Sequence, residues 1–100
     1  MRFLLIDDSP YDRELMKRTI QQAFPAAIFV EILHQQAFEE ALHELDYSMV
    51  LTDYQLKWTT GLKILKAIQA RSPDLPVIMV TETGSEEIAA EAMKRGLSDY

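Results

Sequence analysis

The sequence predicts one α/β domain, a doubly wound parallel sheet with helices on both faces. Three observations lead there. Short apolar runs alternate with segments of helical periodicity, and the connections between them are short, as in repeated strand-then-helix units. At 100 residues with 48% hydrophobic content, the chain fits one hydrophobic core. It has no internal repeat, low-complexity stretch or linker, so residues 1–100 read as one domain.

The first strand is the unbroken apolar run of residues 3–6, as expected where a strand is buried on both faces. Ser9 then supplies an N-cap, Pro10 suits the first helical turn, and Asp12 falls at the capping-box position. Leu15, Met16, Ile20 and Ala23 repeat at helical spacing, and Pro25 ends that helix. Residues 28–33, rich in β-branched and apolar side chains, predict the second strand. Ala37, Phe38, Ala41, Leu42 and Leu45 form one helical stripe, with glutamates and His43 opposite.

Met49, Val50 and Leu51 predict the third strand, running out at Thr52 and Asp53. Gly61 precedes a helix with Leu62, Leu65 and Ile68 on one face. Pro73 and Pro76 break the chain before the fourth strand, residues 77–80. A last helix starts near Gly84, with Glu86 and Glu87 in its first turn and Lys94 and Arg95 in its last, matching the helix dipole. Its apolar face is Ile88, Ala89, Ala92 and Met93, and Gly96 caps it. Ser98, Asp99 and Tyr100 read as the start of a fifth strand.

Composition narrows the function classes. The chain contains no cysteine, which excludes disulfides, thiolate metal sites and cysteine nucleophiles. A formal net charge of -6 repels phosphate backbones, so direct nucleic-acid binding is not expected. No stretch approaches the ~20 apolar residues of a membrane span, and the N-terminal apolar run is too short for a secretory signal. A soluble cytoplasmic protein is expected.

In open parallel sheets, ligands sit beyond the carboxyl ends of the strands, at the crevice where strand order switches. The first strand ends in Asp7 and Asp8, the third in Asp53 and the fourth in Thr81. Three carboxylates and a hydroxyl are therefore expected to converge on one rim. Clustered carboxylates repel one another and need a cation or a shared proton. Oxygen donors without histidine or cysteine favour a hard ion such as Mg²⁺. Such a site suits phosphoryl transfer, with one carboxylate as nucleophile.

Ile6 through Ser9, Leu51 through Leu56 with Gly61 eight residues past Asp53, and Val80 with Thr81 resemble the response-regulator receiver domain of two-component signalling. Residues 84–88 and 98–100 fit its later segments, so the resemblance runs the full length. It implies the flavodoxin-like strand order 2-1-3-4-5, with strand five and helix five largely missing beyond Tyr100. It implies that Asp7 and Asp8 bind Mg²⁺ beside Asp53, Asp8 more directly, with the backbone carbonyl of Gln55. Asp53 is then the phosphoacceptor, served by a sensor histidine kinase or phosphotransfer protein. Thr81 and Tyr100 are the switch residues that relay the change to an effector domain or downstream protein. The domain is a signalling module, not a metabolic enzyme, although it catalyses its own phosphoryl gain and loss.

Some positions depart from the family pattern. The family's lysine would come three residues after Tyr100. Lys57 replaces a usual proline, which implies a more mobile loop after Asp53, and Glu82 stands where a small residue is usual. These departures keep open an alternative, an unphosphorylated pseudo-receiver serving as a protein-interaction scaffold. The missing fifth strand leaves residues 77–80 as an apolar edge, and self-association through it is expected. A phosphatase-type hydrolase would want alternating acidic residues after the first strand, and a flavin-binding protein a Gly/Ser/Thr-rich loop. Residues 7–13 supply neither. His34 and His43 lack a second ligand at i+3 or i+4 and read as surface residues, and Trp58 reads as an exposed loop residue or a partner contact.

Overall fold

The computed structural model describes residues 1–80, in the element order β1 (Arg2–Ile6), α1 (Pro10–Ala23), β2 (Ile28–Ile32), α2 (Gln35–Ala41), β3 (Met49–Thr52), α3 (Gly61–Arg71) and β4 (Val77–Met79). The strands pair in parallel in the order β2-β1-β3-β4. This is the described part of the expected 2-1-3-4-5 order. The helix expected from Gly84 and the strand expected from Ser98 lie outside the described residues, as do Thr81, Glu82 and Tyr100.

Alternation along β1 divides the core into two layers. Leu4 and Ile6 pack with Ile32, Phe38, Val50, Ile64, Leu65, Ile68, Val77 and Met79 on the face covered by α2 and α3. Phe3 and Leu5 point the other way, to Met16 of α1 and Leu51 of β3. Both sets are buried because a central parallel strand has helices on each side. Fully burying one such side chain stabilises by roughly 1.5–3 kcal/mol. On the α1 side, Phe3 also stacks on Phe29, ring centroids 5.7 Å apart.

Local chemistry sets the helix ends. Ser9 caps α1, its Oγ accepting from the Asp12 N–H at 3.2 Å, with Pro10 in the first turn as expected. Thr60 caps α3 by the same bond to the Lys63 N–H. His34 caps α2, its Nδ1 accepting from the Ala37 N–H at 3.2 Å, which requires that nitrogen to be unprotonated.

Several expectations are corrected. In α1, Leu15 is 41% exposed and Ala23 is exposed, while Arg13 is buried beside Met16. The inward stripe is therefore 13, 16 and 20, and Arg13 tolerates it because its guanidinium finds acceptors there. Helix α2 ends at Ala41 instead of reaching Leu45. Bonds from the His43 N–H to the Glu40 carbonyl and from the Glu44 N–H to the Ala41 carbonyl tighten the chain into three-residue turns. Gly61 lies in the first turn of α3 and does not precede it. Strands β2 and β4 each stop one residue early, leaving Leu33 and Val80 exposed.

Candidate functional site

The order β2-β1-β3-β4 puts a switch point between β1 and β3, and the register there brings the acidic residues together. Ile6 of β1 is the partner of Thr52 of β3, so Asp7 and Asp53 each lie one residue past that pair. The Asp53 N–H extends the ladder by donating to the Ile6 carbonyl at 2.9 Å. On the other side, Thr52 is the partner of Met79, and the Val80 N–H donates to the Thr52 carbonyl at 2.9 Å. Thr81, the next residue along, lies outside the described residues.

Asp53 is held by its backbone on several sides. Besides the bond to Ile6, its carbonyl accepts from the Thr52 hydroxyl at 3.0 Å, which satisfies a threonine that is fully buried. The first turn of α3 packs directly on that carbonyl. A Cβ on Gly61 would stand 2.7 Å from the Asp53 oxygen, closer than such atoms approach, and at a tight 3.0 Å from the Tyr54 Cα. The Gly61 N–H also donates to the Tyr54 carbonyl at 2.5 Å. Glycine is thus the residue that lets α3 close on the end of β3.

Asp7 is buried, 4% exposed, and its Oδ1 accepts from the Ser9 N–H at 2.9 Å. Burial pushes its carboxyl above the ordinary carboxylate range. The Ser9 bond works against this, and the charges of Asp53, Asp12 and Asp8 add to the rise. Arg13 reaches back from α1 to donate to the Asp7 carbonyl at 2.7 Å, while its Nε donates to Glu31 Oε1 of β2 at 3.0 Å. The arginine fixes the turn that carries the acidic pair. Reading the sequence missed this residue, although its spacing of three and seven from Met16 and Ile20 marks it as inward-facing.

Asp8 is turned toward the loop after β3, and its Oδ2 accepts from the Lys57 N–H at 2.5 Å. That loop is a narrow antiparallel pairing of Gln55 with Thr60, made by the Gly61-to-Tyr54 bond and by the Leu56 N–H on the Thr59 carbonyl at 3.0 Å. Both bonds come from residues flanking the pair and leave the Gln55 carbonyl outside the bridge. The Lys57 N–H thereby joins this loop to the turn after β1. Trp58 is not the fully exposed loop residue of the first expectation. It is partly buried against Phe38 of α2, ring centroids 6.1 Å apart.

Among the described residues, no three His, Cys, Asp or Glu side chains form a metal-holding group. The expected convergence of three carboxylates is thus not met among the described side chains, and one oxygen of Asp7 and one of Asp8 are each taken by a backbone N–H. A Mg²⁺ site needs only one or two carboxylates, with waters and phosphate oxygens completing it. The all-oxygen donor set, and an Asp7 that already feels three like charges, fit such an ion.

A sequence model of the response regulator receiver domain matches residues 3–100. The chain belongs to the response-regulator receiver family. Among relatives, the two-component response regulator ORR1 of rice (Oryza sativa subsp. japonica) is 33% identical over 99% of this chain, which spans 47% of that protein. Chemotaxis protein CheY1 of Helicobacter pylori is 26% identical over the whole chain and 82% of its own length. A signal receiver domain of a two-component histidine kinase from Clostridium thermocellum superposes with a TM-score of 0.83 at 29% identity, covering 99% of this chain and 82% of that one. A Burkholderia pseudomallei response regulator, crystallised with a phosphorylated aspartic acid and a calcium ion, shares the fold with a TM-score of 0.83 at 19% identity, over 99% of this chain and 57% of that one. This receiver domain is a two-component signalling module. Among its described residues, no helix is long and apolar enough to cross a membrane.

Proposed function

We propose that Asp53 accepts a phosphoryl group from a phosphohistidine on a sensor histidine kinase or phosphotransfer protein, with Mg²⁺ held by Asp7, Asp8, Asp53 and the Gln55 carbonyl. The observation that carries this reading is the β1–β3 register, which sets Asp53 beside Asp7 at the switch point with its backbone fixed by Ile6, Thr52 and Gly61. An Asp53 carboxylate oxygen attacks phosphorus, the phosphorus–nitrogen bond to the histidine breaks, and the imidazole leaves with its electron pair and takes a proton from solvent. The product is an acyl phosphate on Asp53, which water can later hydrolyse. A bound Mg²⁺ supplies charge neutralisation on the phosphoryl oxygens. The pinned backbone of Asp53 fixes where its side chain leaves the strand end, so less of the nucleophile's position has to be ordered.

By the family resemblance, Thr81 hydrogen-bonds a phosphoryl oxygen and Tyr100 reorients, altering the surface read by an effector domain or downstream protein in the cytoplasm. Asp53→Asn cannot form the acyl phosphate. With acetyl phosphate and Mg²⁺, intact mass should show a phosphorylated parent and an unmodified Asn variant. Equal labelling of both rejects Asp53 as the acceptor.

A second reading, the unphosphorylated scaffold, is favoured by the engagement of Asp8 with the Lys57 N–H. A parent that is never labelled supports it.

A further inference from the structure

We propose that the backbone N–H of Lys57 sets the cation affinity of this site by competing for Asp8. The inference rests on the Mg²⁺ reading above. The bond from the Lys57 N–H to Asp8 Oδ2, at 2.5 Å, joins residues 49 apart in sequence and ties the β1–α1 turn to the β3–α3 loop. The donor is not free to follow Asp8 wherever it moves. Leu56 beside it is buried and hydrogen-bonded to Thr59, Gly61 is bonded to Tyr54, and Trp58 packs on Phe38.

This bond occupies one Asp8 oxygen within a cluster whose charges already raise Asp7. A hard cation that takes Oδ2 must draw it away from the N–H, and one that takes the free Oδ1 meets a carboxylate whose charge is already shared with that N–H. Either outcome opposes binding. Proline, which the family usually has here, carries no N–H and could not make the bond. The lysine position therefore matters through its main chain, and its exposed side chain is incidental.

The test uses the full chain and MgCl₂ alone, titrated by calorimetry and by amide chemical shifts. Lys57→Pro removes the N–H, and Lys57→Ala keeps it while removing the side-chain amine. Losing one hydrogen bond to a charged acceptor should tighten Mg²⁺ binding on the order of tenfold in the proline variant, with the alanine variant unchanged. In the parent, saturating Mg²⁺ should speed hydrogen exchange at the Lys57 amide and leave the Leu56 and Gly61 amides as they were. That measurement decides alone if the proline variant does not fold.

Equal affinities in both variants, with Lys57 exchange indifferent to Mg²⁺, overturn the latch and leave the Mg²⁺ reading standing. A parent and variants in which Mg²⁺ shifts none of the Asp7, Asp8 and Asp53 amides overturn both.

Discussion

Replacing Gly61 by alanine sets two known effects against each other, and the structure decides the sign. Helix propensity favours the change, since alanine is better than glycine by up to about 1 kcal/mol in a helix, less in a first turn. Packing opposes it. The added Cβ would meet the Asp53 carbonyl oxygen at 2.7 Å, the Met79 Cε at 2.9 Å and the Tyr54 Cα at 3.0 Å. The methionine can swing aside, but the other two are backbone atoms, and Asp53 is also held by bonds to Ile6 and Thr52. Helix α3 must therefore move off the end of β3. Overpacking of this kind typically costs about 1–3 kcal/mol. Subtracting the propensity gain leaves a net loss of about 1–2 kcal/mol, or a fall in Tm of about 5–10 °C. Urea and thermal unfolding followed by circular dichroism measure it, with Ala70→Gly, at an exposed position of the same helix, calibrating propensity in place. If Gly61→Ala is as stable as the parent or more so, the close approach of α3 to Asp53 is wrong.

Asp7→Asn keeps an acceptor for the Ser9 N–H and removes a buried charge. Because the folded carboxyl is raised above its ordinary value of 3.8, the parent's stability relative to this variant should be highest below that pH and fall as pH rises through the folded value. Urea unfolding across that range checks it, and a relative stability that rises with pH would refute it. Arg13→Ala strands the Asp7 carbonyl and leaves Glu31 with Lys17 alone, at 3.6 Å, and should lower stability by about 1–3 kcal/mol, seen as a lower urea midpoint at unchanged slope. A loss under about 0.5 kcal/mol, the range of an ordinary surface change, would show that Arg13 does not hold the turn.

Much of this molecule was legible in the sequence, because the signals are local. The apolar run before Asp7, the cap at Ser9 with Pro10 behind it, and the stripe through Leu65 and Ile68 each depend on near neighbours along the chain. They placed β1, α1 and α3 within a residue or two, and the acidic positions at strand ends followed from those placements. Where hydrophobic spacing competed with a partner distant in sequence, the partner won. Arg13 displaced Leu15 from the inward face of α1 because the Asp7 carbonyl and Glu31 of β2 were there to receive it. Trp58 turns partly inward because Phe38 offers a ring to pack on.

The sequence by itself determined the parallel α/β architecture, the family and the candidate residues Asp7, Asp8 and Asp53. Only the tertiary structure decided which atoms of those residues are engaged. The Ile6–Thr52 register set Asp7 beside Asp53, the Thr52 hydroxyl and Gly61 fixed the Asp53 carbonyl, and the Lys57 N–H took Asp8. The register and the Lys57 bond join segments of chain remote from one another in sequence. Their geometry exists only once the sheet has brought the strand ends together, so no local pattern of residue types encodes it.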